Sequence, residues 1–162
     1  MVAIHRGWRP GLVGAVVQAH GAYYAREWNF GAFFEAKVAR EMGAFVARYE
    51  ARDALFSAAD GEVFLGAVTI DGGDPALAAG MAHLRWFIVS DAARGQGVGR
   101  QLMDAAMGFL REQGFSGCYL TTFAGLDAAR RLYEGAGFVL TGQAAAESWG
   151  TRVTEQVFTW RG

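Results

Sequence analysis

The segment Arg94–Gly95–Gln96–Gly97–Val98–Gly99–Arg100 has the clearest capacity for chemistry in this sequence. Glycines at alternate positions leave several backbone N–H groups uncovered by side chains. A helical stripe follows at once: Val98, Leu102, Ala105, Ala106, Phe109 and Leu110. Open N–H groups at the positive end of a helix form a site for an anion such as a phosphate. Arg94 and Arg100 add positive charge at the same place. Two familiar phosphate loops do not fit. A Walker loop ends in Gly-Lys-Ser/Thr, which is absent here. A dinucleotide fingerprint, G-x-G-x-x-G, counted from Gly95, needs a third glycine where Arg100 stands.

The other reactive side chains make weaker patterns. His5, His20 and His83 share no metal-ligand spacing, so no metal is expected. Ser57, Ser90, Ser116 and Ser148 lack a nucleophile-elbow context. Cys118 is the only cysteine, which excludes an intrachain disulfide and a zinc site of several thiolates; it reads as a small buried hydrophobe. Lys37 is the only lysine among 15 basic residues, a bias read as genome composition rather than function.

Hydrophobic periodicity supplies the elements that position the loop. A short strand, Met1 to His5, precedes a turn and a helix over about 10–27, with Pro10 near its first turn. Phe33, Phe34, Val38, Met42, Phe45, Val46 and Tyr49 predict a second helix over about 31–52, and both stripes are expected in the core. Ala54–Ala58 and Val63–Ile70 flank the turn signal Asp60–Gly61 and read as an antiparallel pair. Met81–Val89 is a strand whose second half, Trp86–Phe87–Ile88–Val89, is apolar throughout. That loss of alternation predicts burial on both faces or a bulge. The helix after the glycine loop ends at Gly114. Tyr119–Phe123 is a strand, Asp127–Gly135 a short helix, Phe138–Thr141 the start of a strand, and Val153–Trp160 an alternating last one. The order is βααβββαβαββ, an α/β fold.

Length and composition set the outer bounds. A chain of 162 residues reads as one domain, 1–162, and at this size ~70% of the unfolded surface is buried without staples. A net charge of −1 argues against a nucleic-acid partner. No apolar run reaches the ~20 residues of a membrane span, so no membrane partner is expected. His5, Arg6 and Arg9 before Leu12–Val17 loosely imitate a signal peptide, but Gly11 and Gly14 interrupt the stretch. A cytoplasmic location is the expectation.

The pattern Arg-Gly-x-Gly-x-Gly after a strand resembles the acetyl-CoA loop of the GNAT acetyltransferase superfamily. Trp86–Phe87–Ile88–Val89 is similar to its bulged fourth strand. Ala128–Ala129–Arg130–Arg131–Leu132–Tyr133–Glu134–Gly135–Ala136–Gly137–Phe138 resembles its second signature. The motif-bearing match spans about 81–141, and the element order also agrees. The flanks, His20 to Trp28 and Trp149–Gly150 with Thr154–Glu155–Gln156, resemble the acetyltransferase half of chains that carry a MarR-type winged helix.

This resemblance implies a mixed, mostly antiparallel central sheet flanked by helices, and transfer of an acetyl group from acetyl-CoA to an amine. It assigns Arg94, Gly95, Gln96, Gly97, Val98, Gly99 and Arg100 to the diphosphate, with Arg130 and Arg131 either near the nucleotide or on a solvated face. Backbone groups of Phe87, Ile88 and Val89 would pair with pantetheine, one N–H of Ile88 or Val89 facing the thioester oxygen. Tyr133 is the candidate acid or sulfur ligand; the alternative for it is core packing. Some relatives place a glutamate where Thr121 stands and an asparagine where Leu126 stands. The base is therefore open among Glu27, His83, Glu147, Glu155 and water. Tyr23, Tyr24, Trp28, Phe30 and Trp149 would form an aromatic mouth. Tyr24, Glu27 and Trp28 are the candidate acceptor contacts, with Glu27 attracting the ammonium of a small amine or amino-acid-like acceptor. An acyl-CoA sensing module is the alternative reading, a separate winged-helix protein is a conceivable partner, and a homodimer is common in the superfamily.

Overall fold

The computed structural model describes residues 1–162. The chain runs β1 (Val2–Arg6), α1 (Leu12–Trp28), α2 (Ala32–Ala47), β2 (Ala54–Asp60), β3 (Val63–Asp71) and β4 (Met81–Val89). After a 3₁₀ turn at Asp91–Ala93 come α3 (Val98–Glu112), β5 (Gly117–Phe123), α4 (Asp127–Gly135), β6 (Val139–Ala146) and β7 (Val153–Arg161). This is the order βααβββαβαββ read from the sequence. One sheet holds all seven strands in the order β1-β2-β3-β4-β5-β7-β6. Only β4 and β5 run parallel; every other neighbouring pair is antiparallel.

Strand alternation gives the sheet two apolar faces, and helices cover both. Val68 and Ile70 of β3 point to the face under α3, where Leu102, Phe109 and Leu110 join Leu120 and Phe158 in the main core. Ala67 and Leu55 point the other way, against Leu12 and Val16 of α1 and Met42 of α2. Truncating a fully buried side chain such as Leu102 to alanine costs ~2–5 kcal/mol at sites of this kind. No helix is long and apolar enough to cross a membrane.

Three readings are corrected. The second helix stops at Ala47, short of the predicted 52, and Tyr49 lies beyond it. The ion pairs explain the break: Arg48 grips buried Asp71 with both guanidinium nitrogens, at 3.1 and 2.7 Å. Asp53 accepts the N–H groups of Glu50 and Gly72, at 2.9 and 2.8 Å, which holds the chain in a turn. Phe33, placed in the core stripe, is 59% exposed. The β2–β3 hairpin pairs Asp60 with Val63, so its two-residue loop is Gly61–Glu62, with Gly61 at φ +58°.

Candidate active site

The site begins where the sheet opens. β4 and β5 pair only over Met81–His83 and Gly117–Tyr119, then part, leaving a fork beyond His83 and Tyr119. On its other edge β4 stays paired to β3 as far as Val89, opposite Gly66. That ladder slips by one residue: Ala67 faces Ile88 and Thr69 faces Arg85, so Trp86 and Phe87 together oppose Val68. This is a bulge, one of the two outcomes that the apolar run 86–89 left open. Trp86 takes φ +50°, a conformation rare for a bulky residue. Its ring packs 5.7 Å from Phe45, and the Arg85 guanidinium lies 4.2 Å over it. Beyond the bulge the Ser90 N–H donates to Leu65 O at 2.8 Å. Ile88 faces Ala67 in the same ladder, so alternation turns the N–H and C=O of Val89 away from β3 and into the fork.

The glycine loop closes one end of this opening. Gly95 and Gly97 sit at φ +78° and +76°, and a Cβ at either would meet nothing within 4 Å. These two glycines are needed for backbone conformation, and they leave the loop amides uncrowded. Gly99 is needed for a different reason: a Cβ there would lie 2.9 Å from Leu132 Cδ1, so it sets the approach of α3 to α4. No side chain caps α3, whose first residues, Val98 to Arg100, line the cleft. Arg94 is held by Asp91 at 3.1 Å and lies 5.0 Å over the Tyr23 ring. Arg94 and Arg100 line the cleft, as do Gly95, Gly97, Val98 and Gly99. The Gln96 side chain instead folds back to Ala92 O at 2.7 Å, outside the lining. Open amides, a helix N-terminus and two arginines fit a diphosphate. Arg130 pairs with Glu134 at 3.1 Å and Arg131 is exposed.

Tyr133 reaches the fork from α4. It is 6% exposed, with ring neighbours Phe87, Phe138 and Phe158 at 5.8, 6.3 and 6.2 Å. Burial alone raises its pKa above the ordinary tyrosine value, so the phenol keeps its proton at neutral pH. Tyr24 approaches from α1. Burial raises its pKa too, and the neighbouring phenols of Tyr133 and Tyr23 add to the shift, while Arg94 opposes it. The cleft between these groups encloses about 850 Å³.

Under α1 and α2 the cleft wall is polar. His83 Nδ1 lies 3.2 Å from Asp74 Oδ2 and 3.2 Å from the Tyr119 hydroxyl, its ring stacked 4.2 Å over Tyr119. Burial and then Arg85 lower its pKa to about 4, against the pull of Asp74. His20 donates Nδ1–H to Val16 O at 2.8 Å, and burial lowers its pKa to about 4. Glu155 accepts Trp149 Nε1–H at 2.7 Å. Thr121 and Leu126 also line the cleft.

Of the residues named from sequence, Phe87, Ile88, Val89, Tyr24 and Tyr133 converge with the glycine loop. Glu27 and Trp28 are not in the lining. Glu27 is half exposed and paired with Arg26 at 2.9 Å, while Trp28 packs on Phe123 at 5.6 Å, behind the wall. Sequence reasoning missed Lys37, Glu41 and Arg85, which line the cleft, and gave His20 no role there. Lys37 and Glu41 carried a faint signal in their four-residue helical spacing.

Comparison with known proteins agrees with this architecture. The Brucella melitensis ribosomal-protein-alanine N-acetyltransferase superposes with TM-score 0.79 at 15% identity, over 99% of both chains. A GCN5-related N-acetyltransferase from Kribbella flavida gives 0.78 at 18%, over 99% of this chain and 98% of that one. A Salmonella typhimurium protein solved with its cofactor acetyl-CoA gives 0.75 at 16%, over 99% and 93%. No curated protein matches the sequence. The model of the acetyltransferase (GNAT) family matches residues 15–138, across the fork, the glycine loop and α4, and the chain belongs to that family of acetyl-CoA-dependent N-acetyltransferases.

Proposed function

We propose that this enzyme acetylates the primary amine of a small, amino-acid-like acceptor by direct attack on acetyl-CoA. The observation that carries this reading is the fork itself: Val89 backbone groups turned inward, with the Tyr133 phenol lining the same cleft. Gly95 to Arg100, with Arg94, hold the diphosphate on backbone N–H groups and positive charge. Phe87, Ile88 and Val89 present the strand edge to pantetheine. The Val89 N–H donates to the thioester oxygen as negative charge gathers there, which requires no side chain at the reacting centre.

The amine nitrogen bonds to the carbonyl carbon, the C–S bond breaks, and the sulfur, held by a hydrogen bond from Tyr133, takes up the proton that the nitrogen sheds. A phenol (pKa ~10) is a reluctant donor to a thiolate (thiol pKa ~8.5). Burial makes it more reluctant still, so its contribution is largely a hydrogen bond to the departing sulfur. A lysine-like amine (pKa ~10.4) must also shed a proton before it attacks. The His83 imidazole, neutral near pH 7 and facing the cleft, supports a path for that proton through water.

Tyr133→Phe tests the assignment. Turnover should fall about 10²-fold while the KM for acetyl-CoA stays within about twofold. Equal turnover in the variant would leave Tyr133 a packing residue.

A further inference from the structure

On the wall under α2, the charged groups that face the cleft are Lys37, Arg85 and Glu41. Lys37, the single lysine of the chain, pairs with one oxygen of Glu41, and Arg85 binds the other at 3.1 Å. Arg85 also reaches Asp71 at 3.1 Å, a fully buried carboxylate already held by Arg48 at 2.7 Å. Three cations thus share two carboxylates. Arg48 and Asp71 lie outside the cleft lining, as do Asp53 and Asp74 beside them. On this wall the lining carries Lys37 and Arg85 against Glu41, while Glu155 and Asp127 line the cleft elsewhere.

These cations are poorly hydrated. The Lys37 and Arg85 side chains are 19% and 16% exposed. A surplus charge with so little water is costly unless an anion meets it. Arg85 has both terminal nitrogens engaged, on Asp71 and Glu41. Lys37 has three N–H donors and one carboxylate partner, so it is the cation with donors to spare.

The opposite charge stands nearby. Lys37 Nζ lies 4.9 Å over the Trp149 ring, and the same indole donates its N–H to Glu155 at 2.7 Å. One indole therefore separates a cation at its face from a carboxylate at its edge. Glu155 lies on β7 beside Phe123 of β5, at the open end of the fork.

We infer that the acceptor is a zwitterion whose carboxylate docks on Lys37, backed by Arg85, and whose ammonium enters the fork on the Glu155 side. This rests on the acetyl-transfer reading above and narrows it. A polyamine, with no anionic group, would place a second ammonium against the cations of this wall. Glu27, paired with Arg26 outside the cleft, is not the ammonium partner.

The test uses the common free amino acids and their primary amides as acceptors, with acetyl-CoA, in the unaltered enzyme, K37Q and K37R. The amide keeps the side chain and removes the carboxylate charge; because its amine is also less basic, rates are compared per unprotonated amine. For the best acceptor, kcat/KM for the free acid should exceed that for the amide at least tenfold. K37Q should collapse this ratio toward one, and K37R should restore most of it. Equal rates for acid and amide, or an equal loss of both in K37Q, would overturn the carboxylate assignment and leave acetyl transfer standing. If acetyl-CoA raises Tm but neither series is acetylated, both readings fall.

Discussion

Single residues here are set by backbone demands as much as by side-chain chemistry. Gly95 and Gly97 hold left-handed conformations with open space around them, so a methyl group meets strain and no clash. Gly95→Ala should cost ~1–2 kcal/mol of stability in urea unfolding. It should also weaken acetyl-CoA binding in calorimetry, because the loop amides are re-aimed. Gly99→Val should act otherwise. Its Cβ, 2.9 Å from Leu132 Cδ1, pushes α4 away, so turnover should fall more than acetyl-CoA affinity as Tyr133 shifts. The spacing of these glycines is legible in the sequence. Their separate reasons are not, since one set answers to φ and the other to a contact 33 residues distant.

At the scale of elements, the bulge in β4 directs the chemistry. It combines a strained tryptophan with two packing contacts, and magnitudes decide which matters more. A left-handed residue costs ~1–2 kcal/mol, whereas removing a packed tryptophan side chain costs ~3–5 kcal/mol when fully buried and less when half-buried. Trp86→Gly therefore relieves strain yet should lose ~1–3 kcal/mol net, measured by urea unfolding. The apolar run 86–89 announced an irregularity here. It did not say which residue would take positive φ, because that depends on Phe45 and Arg85 fixing the indole from outside the strand. The overlong second helix has a related cause. The periodicity of Phe45, Val46 and Tyr49 continues past Ala47, but Arg48 is held to Asp71 on β3, a partner that local pattern cannot name.

For the molecule as a whole, two buried neutral histidines govern its response to acid. His20 and His83 have pKa values lowered from 6.5 to about 4. The unfolded chain takes up protons below pH 6.5, and the folded chain does so only near 4. Stability is thus full above pH 6.5 and lost as pH falls toward 4, by up to roughly 3 kcal/mol per histidine. Urea midpoints at pH 7 and pH 5 read this directly, and an unchanged midpoint would show that the histidines are solvated. Acetyl-CoA works in the opposite direction: at 100 times its Kd it adds ~2.7 kcal/mol, a Tm rise of roughly 5–10 °C at this size. NAD and ATP, which call for other loops, should give none. The sequence by itself determined the order of elements, the glycine loop and the place of Tyr133, because hydrophobic period, glycine spacing and short motifs are local properties of a chain. Tertiary structure alone decided the fork between β4 and β5, the exclusion of Glu27, and the gathering of Lys37, Glu41 and Arg85 on one wall. Those depend on which strands stop pairing and which charges meet across the fold, and both follow from contacts between distant residues.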